Sequence, residues 1–395
     1  MDFNRKNTVL ITASRGLVPY LSREVEQLGY EVASTHATGL EITASLNDTM
    51  RLNLRLRTAF NVLYLLKTFE CDGPDELYRN IFSIAWEEIA GPDEYVSVVS
   101  RIEHSSINNT MFANQKAKDA IVDKIHQEKG ARPDSGPERT NIVIHLYWKN
   151  DRAWVYLNTS GQKLADRSYR KIPCAAPLQE TLAAGILFAS GYDGNTPLVV
   201  PMCGSGTLAI EAALIALGRA PGLLRSNFGI IHVKGFDKNF WQEIRRETLK
   251  SAYKNLSAPI IATDIDRKAI EAAKKNARTA GCDHLIEFKV CDFTDTPLPE
   301  NPGILIFNPP YGERLGELNW LEKLYKAIGD FLKTKCTGYT GYIFTGNREL
   351  SKAVGLRTSR KVPFYNGDIE CRLLQYKMYS GSVKKKYRSG PEDLT

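Results

Sequence analysis

Cysteine is scarce in this chain: seven among 395 residues, at positions 71, 174, 203, 282, 291, 336 and 371. An odd number, scattered and never spaced Cys-x-x-Cys, offers neither a disulfide framework nor a zinc-ligand set. His104, His126, His145 and His284 show no metal-ligand spacing either, so no metal is expected. Long apolar runs are also missing. The most apolar stretches, residues 182–189 and 208–217, fall well short of the about 20 residues a bilayer-crossing helix needs, and the second contains Glu211. No membrane span is expected. The polar opening Met1-Asp-Phe-Asn-Arg-Lys6 lacks a signal peptide's apolar core, which points to the cytoplasm. With 43% apolar and 25% charged residues, wholesale disorder, collagen-like repeats and a coiled-coil rod are excluded.

What is present is enough chain for two or three domains, at about 100–200 residues each. The net charge of +7 is unevenly spread: residues 1–160 hold 18 basic and 21 acidic side chains, and residues 161–395 hold 34 and 24. A phosphate-rich partner fits the second part, because Lys and Arg gain counterion release there. In the first part any nucleic-acid contact must come from a local patch. The basic segment Lys384-Lys-Lys-Tyr-Arg388 reads most simply as a solvated tail.

Residues 1–160 read as two small α+β units. In the first, 9–11, 30–32 and 40–44 are strands, Leu17, Leu21, Val25 and Leu28 mark one helix face, and Asn47 or Asp48 is placed to cap a helix through Leu56. In the second, 61–68 and 95–102 are strands and 76–89 and 109–127 helices, the latter with Ala117, Ala120, Ile121 and Ile125 on one face. A loop at 130–137 precedes a hairpin over 142–157. From about Pro177, apolar runs at 198–200, 260–262, 286–290, 304–307 and 342–345 alternate with helical stretches at 207–217, 268–280 and 318–333. That is the pattern of a buried, mostly parallel sheet.

Chemistry concentrates where those strands end. Met202-Cys203-Gly204-Ser205-Gly206-Thr207 follows the first and opens a helix, so small residues let a ligand approach the backbone and free N–H groups. The Gly-x-x-Gly completion of a dinucleotide fingerprint and the Lys of a P-loop are both absent. Thr263-Asp264-Ile265-Asp266 ends the second strand with a carboxylate able to accept from both hydroxyls of a ribose. Cys291-Asp292-Phe293 ends the third with an acid suited to an adenine amino group and an aromatic ring. Each acid also has a plainer reading, Asp264 or Asp266 as cap of the next helix and Asp292 as cap of a loop. The fourth strand ends in Asn308-Pro309-Pro310-Tyr311-Gly312. Two prolines stiffen the backbone so that the Asn308 amide and the Pro309 carbonyl can face one planar amine while Tyr311 stacks on the ring that bears it.

In this order the motifs resemble class I S-adenosylmethionine-dependent methyltransferases that act on amines, and more narrowly the THUMP-domain RNA guanine-N2 methyltransferases. Residues 158–161, Tyr169-Arg170, 176–184, 219–222, Asn366-Gly-Asp-Ile-Glu-Cys-Arg372 and the helix Phe112-Ala-Asn-Gln-Lys-Ala-Lys118 are similar to family segments. The resemblance implies an α/β protein with a Rossmann-like methyltransferase domain over 161–395, ending in a basic tail. It places a ferredoxin-like unit over 1–60 and an RNA-gripping THUMP domain over 61–160 before it. S-adenosylmethionine would meet Met202, Cys203, Gly204, Ser205, Gly206, Asp264, Asp292 and Phe293. Asn308, Pro309 and Tyr311 would hold the guanine amine, and Phe112, Lys116 and Lys118 would touch structured RNA. Val200 stands where the family usually has an acidic residue. A second methyltransferase domain, fused in some relatives, is not expected here.

The resemblance favours guanine N2 of 23S ribosomal RNA as acceptor, presented single-stranded or flipped out. A transfer RNA guanine or an adenine N6 remains open, as does a non-catalytic RNA-binding assembly factor. For Cys203 and Cys291, small-residue packing is a simpler role than that of nucleophile. The helix bearing Lys116 and Lys118 can equally be an ordinary amphipathic surface.

Overall fold

The computed structural model describes residues 1–103, 109–173, 177–311 and 318–379. His104, Cys174, Ala176, Gly312 and the basic segment 384–388 lie outside the described residues. Strands β1 (Asn7–Thr12), β2 (Val32–His36), β3 (Gly39–Ala44), β4 (Asn61–Glu70), β5 (Tyr95–Glu103), β6 (Asp134–Ser135), β7 (Ile142–Lys149) and β8 (Arg152–Asn158) come first, with helices α1 (Val18–Gln27), α2 (Leu46–Arg55), α3 (Pro74–Phe82) and α4 (Thr110–Lys129) among them. Then follow α5 (Glu180–Ser190), β9 (Leu198–Pro201), α6 (Thr207–Ala216), α7 (Lys238–Lys250), β10 (Ile260–Asp264), α8 (Arg267–Ala280), β11 (Ile286–Val290) and β12 (Ile304–Phe307). Helix α9 (Leu318–Lys335), β13 (Thr340–Thr345), α10 (Arg348–Ala353), β14 (Arg360–Asn366) and β15 (Ile369–Lys377) complete the series. Two compact units result. One contains Met1–Arg170, Gln179–Gly185 and Gly218–Tyr253, and the other Lys171–Leu178, Ile186–Leu217 and the described part of Lys254–Thr395.

The first unit is built on one eight-stranded sheet, ordered β2-β3-β1-β4-β8-β7-β5-β6. Both edges of β4 are used: Val62 pairs with Ile11 of β1 and Tyr64 with Leu157 of β8, so the two α+β halves share a continuous ladder. Local chemistry moved several boundaries. The cap of α2 is Ser45, not Asn47 or Asp48: its Oγ accepts from Asp48 N at 3.2 Å and the Asp48 carboxylate accepts from Ser45 N at 2.8 Å. This reciprocal pair satisfies two otherwise free N–H groups. Strand β2 starts at Val32 because Tyr30 N is spent closing α1 onto Val25 O. The helix expected over 76–89 stops at Phe82, and the buried Trp86 ring instead donates Nε1–H to Ile81 O at 2.7 Å. Within the loop expected at 130–137, β6 adds a short parallel pairing to β5. Gly218–Tyr253 packs here through Arg225, whose guanidinium donates to Lys163 O and Gln162 O at 2.8 and 3.1 Å and lies 4.9 Å from the Phe228 ring centre.

The second unit is a seven-stranded sheet ordered β11-β10-β9-β12-β13-β15-β14. Strands β9 to β13 run parallel, and β15 is antiparallel to both neighbours. Every residue of β9 and β12 is buried, as expected of central strands covered on both faces. Helix α6 buries Thr207 through Leu214, and α8 presents Ala269, Ala272, Ala273, Ala277 and Ala280 to the core. Phe293, Phe307 and Phe331 meet edge to face with centroids 5.8–6.2 Å apart, each pair worth about 0.5–1.5 kcal/mol beyond its buried area. The chain reverses its order of addition between β9 and β12, which makes the carboxyl end of these adjacent strands the crevice where open α/β sheets bind ligands.

Candidate active site

Register sets the site. Thr263 of β10 lies opposite Pro201 of β9, and Leu305 of β12 opposite Val199. Continuing each ladder, Asp264, Met202 and Asn308 leave the sheet level with one another, a row about 10 Å wide at roughly 4.8 Å per strand. Asp264 pairs with Val290, so Cys291 and Asp292 leave β11 just beyond this row. The glycine loop and the diproline corner thus rise from neighbouring strands, and Met202 and Tyr311 pack against the same apolar cluster.

The loop is strained and tied down. Met202, Gly204 and Gly206 have φ of 59°, 54° and 85°; for Met202, a residue with a Cβ, that conformation costs about 1–3 kcal/mol and persists because its surroundings enforce it. Cys203 N donates to Thr263 O at 2.9 Å. The Asp264 carboxylate accepts from Gly204 N at 2.9 Å and from Asp266 N at 3.0 Å, tying the ends of β9 and β10 together. Asp264 is therefore a loop tie, and the helix cap is Asp266, which accepts from Lys268 N at 2.8 Å. Gly206 lies where a Cβ would stand 2.9 Å from Ala273 Cβ, whereas a Cβ on Gly204 would have nothing within 4 Å. Gly206 is required by packing; Gly204 faces open space. Buried Asn276 completes the support: it accepts from Lys171 N and Ile172 N at 2.8 and 3.1 Å and donates to Ser205 O at 3.1 Å. Sequence reasoning missed it, because a lone Asn in a Lys-rich helix looks solvated.

Asp292 caps a short turn through Thr294 N and Oγ1 at 2.9 and 2.7 Å, both on Oδ1, as the plainer reading allowed. Phe293 is buried in the aromatic trio, so its ring supports the rim from beneath. Ile265, between the two rim acids, is 71% exposed, an apolar surface that an aromatic ligand ring would cover. The motif Asp-Ile-Asp held no signal that the Ile points outward.

Asn308 is half-buried, and its Oδ1 is buried with no hydrogen-bond partner among the described residues. A buried acceptor left unpaired costs about 1–3 kcal/mol, so it is a position where an incoming donor is favoured. Pro309 is buried and Pro310 exposed; neither has an N–H to compete for acceptors. Tyr311 is half-buried, edge-on to Phe344 at 6.3 Å, and its hydroxyl accepts from Asn366 Nδ2 at 2.9 Å with Cys371 Sγ 3.9 Å away. Burial pushes its phenol up to about 12, so it stays protonated at neutral pH.

Phe112, Lys116 and Lys118 belong to the other unit. Met111 and Phe112, 76% and 49% exposed, stand at the start of α4, which Asn109 caps by accepting from Met111 N at 2.9 Å. Lys118 is half-buried. Lys116 is already engaged, 3.1 Å from Asp75 and 5.5 Å from the Tyr78 ring centre. Of the expected cysteine positions, Cys203 is half-buried with Sγ 3.7 Å from Gly204 O, and Cys291 is half-buried. Among the described residues no group of three His, Cys, Asp or Glu could hold a metal ion, and no helix is long and apolar enough to cross a membrane.

A doubly wound sheet with an antiparallel final hairpin, a strained glycine loop after its first strand and an acid after its second defines the fold of a Rossmann-like methyltransferase. Family models match along the chain: an RlmL ferredoxin-like domain at residues 8–63, a THUMP domain at 73–158 and an RMKL-like methyltransferase domain at 167–375. The chain belongs to the RMKL-like methyltransferase family. It is 39% identical over 376 residues to the ribosomal RNA large subunit methyltransferase K/L of Syntrophotalea carbinolica, covering 92% of this chain and 53% of that one. The chain thus spans about half the length of that relative. A Synechocystis chain named as an RNA methyltransferase, slr0064, is 33% identical, with 93% of this chain and 96% of that one covered. Among solved structures, SMU.472, named a methyltransferase and solved in complex with SAH, superposes with a TM-score of 0.85 at 27% identity, covering 97% of this chain and all of that one.

Proposed function

We propose that this protein transfers a methyl group from S-adenosylmethionine to the exocyclic amine of an RNA base, with N2 of a guanine in 23S ribosomal RNA as the favoured acceptor. The observation that carries the reading is the buried Oδ1 of Asn308, which has no hydrogen-bond partner among the described residues and follows the strand next to the one that leads into the glycine loop. S-adenosylmethionine suits the open space over Gly204, the Asp264 carboxylate and the exposed Ile265. When bound, it supplies an electrophilic methyl carbon. Gly204, Ser205 and Gly206, with Met202 and Cys203, would flank its amino-acid part. Asp264 would accept from the ribose, free Asp292 Oδ2 from the adenine amine, and Phe293 would support the adenine site from below.

Asn308 Oδ1 and the Pro309 carbonyl would each accept one hydrogen of the target amine. A guanine amine lone pair is delocalised into the ring, and two acceptors out of the ring plane favour a more tetrahedral, nucleophilic nitrogen. Tyr311 would stack on the ring and hold it in register. No covalent attachment to the chain is needed. Residues 1–160 would serve RNA capture, as ferredoxin-like (1–60) and THUMP (61–160) parts ahead of the catalytic part (161–395), with Phe112 and Lys118 better placed than the paired Lys116. The protein would work in the cytoplasm, where its substrate is made.

The test is incubation with methyl-labelled S-adenosylmethionine and unmodified large-subunit ribosomal RNA, followed by digestion to nucleosides and mass spectrometry. N2-methylguanosine is expected, and its rate of formation should fall by about 10²–10³ with Asn308→Ala. N6-methyladenosine instead would overturn the acceptor assignment, and no methylated nucleoside would overturn the activity.

A further inference from the structure

The segment Asn366-Gly-Asp-Ile-Glu-Cys-Arg372 has no part in the chemistry above, yet it is the tip of the β14–β15 hairpin and touches the diproline corner. From one strand Asn366 donates to the Tyr311 hydroxyl, and from the next Cys371 approaches it. Gly346, just after β13, lies under both the Tyr311 ring and Ile369: a Cβ there would stand 3.1 Å from Tyr311 and 2.9 Å from Ile369. Ile369 is itself 52% exposed. Gly346 also lines a shallow pocket with Asn347, Arg348, Ser351, Lys361 and Arg372.

The charges in this pocket are arranged. Arg348 and Arg372 both donate to Glu370 Oε1, at 2.9 and 3.1 Å, so one carboxylate holds two guanidiniums side by side. Lys361 has no acidic partner among the described residues. Three cations against one anion leave a net charge of two, beside the Asn347 amide, whose Oδ1 caps α10 and whose Nδ2 is able to donate a hydrogen bond. Guanidinium forks pre-ordered in this way fit the oxygens of a phosphodiester. We infer that this pocket binds the RNA backbone phosphate next to the target nucleotide, with Gly346 as the shared wall that sets the base against Tyr311 while its phosphate rests on Arg348, Lys361 and Arg372. The inference rests on the proposed RNA methylation and extends it to how the substrate strand is placed.

Its test is Arg348→Gln/Arg372→Gln, assayed on an in vitro transcript of large-subunit ribosomal RNA at several salt concentrations. A matched-charge control is Lys326→Gln/Lys333→Gln on the solvent face of α9. The site variant should raise KM for RNA about tenfold and lower the salt dependence of binding, −dlogK/dlog[salt], by up to about 0.7, the value for one phosphate contact to a single strand. S-adenosylmethionine affinity by calorimetry should match the unaltered protein, which separates a lost phosphate contact from a misfolded unit. Glu370→Gln should lower KM, an effect opposite in sign to that of merely removing a structural ion pair. If the site variant keeps the KM and salt slope of a protein that does methylate the transcript, or if the control loses as much, the phosphate site is overturned and the methylation stands. If the unaltered protein methylates no RNA, the underlying reading has failed instead.

Discussion

Gly204 and Gly206 are two residues apart and both left-handed, yet replacing each by alanine should have opposite principal effects. Both substitutions place a Cβ on a backbone with positive φ, costing about 1–2 kcal/mol. At Gly204 nothing more is added to the folded protein, because the new methyl meets no atom within 4 Å. At Gly206 it would stand 2.9 Å from Ala273 Cβ and 3.2 Å from Ala273 Cα, so the loop and α8 must move apart. Overpacking of this kind adds about 1–3 kcal/mol. At about 2–4 °C per kcal/mol, Gly206→Ala should lower Tm by roughly 4–20 °C and Gly204→Ala by about 2–8 °C. The order reverses for cofactor binding. If the space over Gly204 is where S-adenosylmethionine lies, its new methyl removes room for the ligand and should raise Kd at least about tenfold, or 1.4 kcal/mol. Differential scanning calorimetry and isothermal titration calorimetry on the two variants supply both readings. Unchanged S-adenosylmethionine affinity in Gly204→Ala would refute the placement of the cofactor.

Asn308→Ala should cut methyl transfer by about 10²–10³, the usual loss on removing one hydrogen-bonding group that acts in the transition state, with S-adenosylmethionine affinity near that of the unaltered protein. Turnover at the original rate would reject its role. Asn276→Ala removes the side chain that accepts from Lys171 N and Ile172 N and donates to Ile172 O and Ser205 O, and should destabilise the second unit by about 2–4 kcal/mol in urea titrations. His145 accepts from Asn158 Nδ2, and burial, with Arg139 nearby, lowers its pKa to about 4. The folded state thus resists a proton that the unfolded chain binds below about 6.5, so this contribution is intact above that pH and is lost as pH falls towards 4. At pH 5 the loss is about 2 kcal/mol. His145→Gln should flatten the stability profile between pH 7.5 and 5, and an unchanged slope would show that the imidazole titrates normally.

The strands and helices of the second unit were legible because burial on both faces demands unbroken apolar runs. Residues 286–290 and 304–307 have the bounds of β11 and β12, and the helix expected from Lys268 begins one residue earlier. Single polar residues were harder to read. Whether Asp264 caps a helix or ties two loops depends on Gly204, sixty positions earlier, whose N–H it accepts. The break between Phe82 and Trp86 follows from burying a Trp ring whose N–H must find Ile81 O, a demand absent from helical periodicity. Lys116 looked free to meet RNA because Asp75 and Tyr78 are far from it in sequence.

From its residues alone, this chain committed its order of elements, the glycine loop, the rim acids and the Asn-Pro-Pro-Tyr corner, since each depends on patterns spanning a few neighbours. Only folding decided that β4 stitches two α+β halves into one sheet, that Asn276 braces the loop and that Arg348, Lys361 and Arg372 gather beside Tyr311. Those outcomes depend on ladder register and on burial against distant segments. Such long-range terms choose between side-chain roles that local sequence leaves equal in energy.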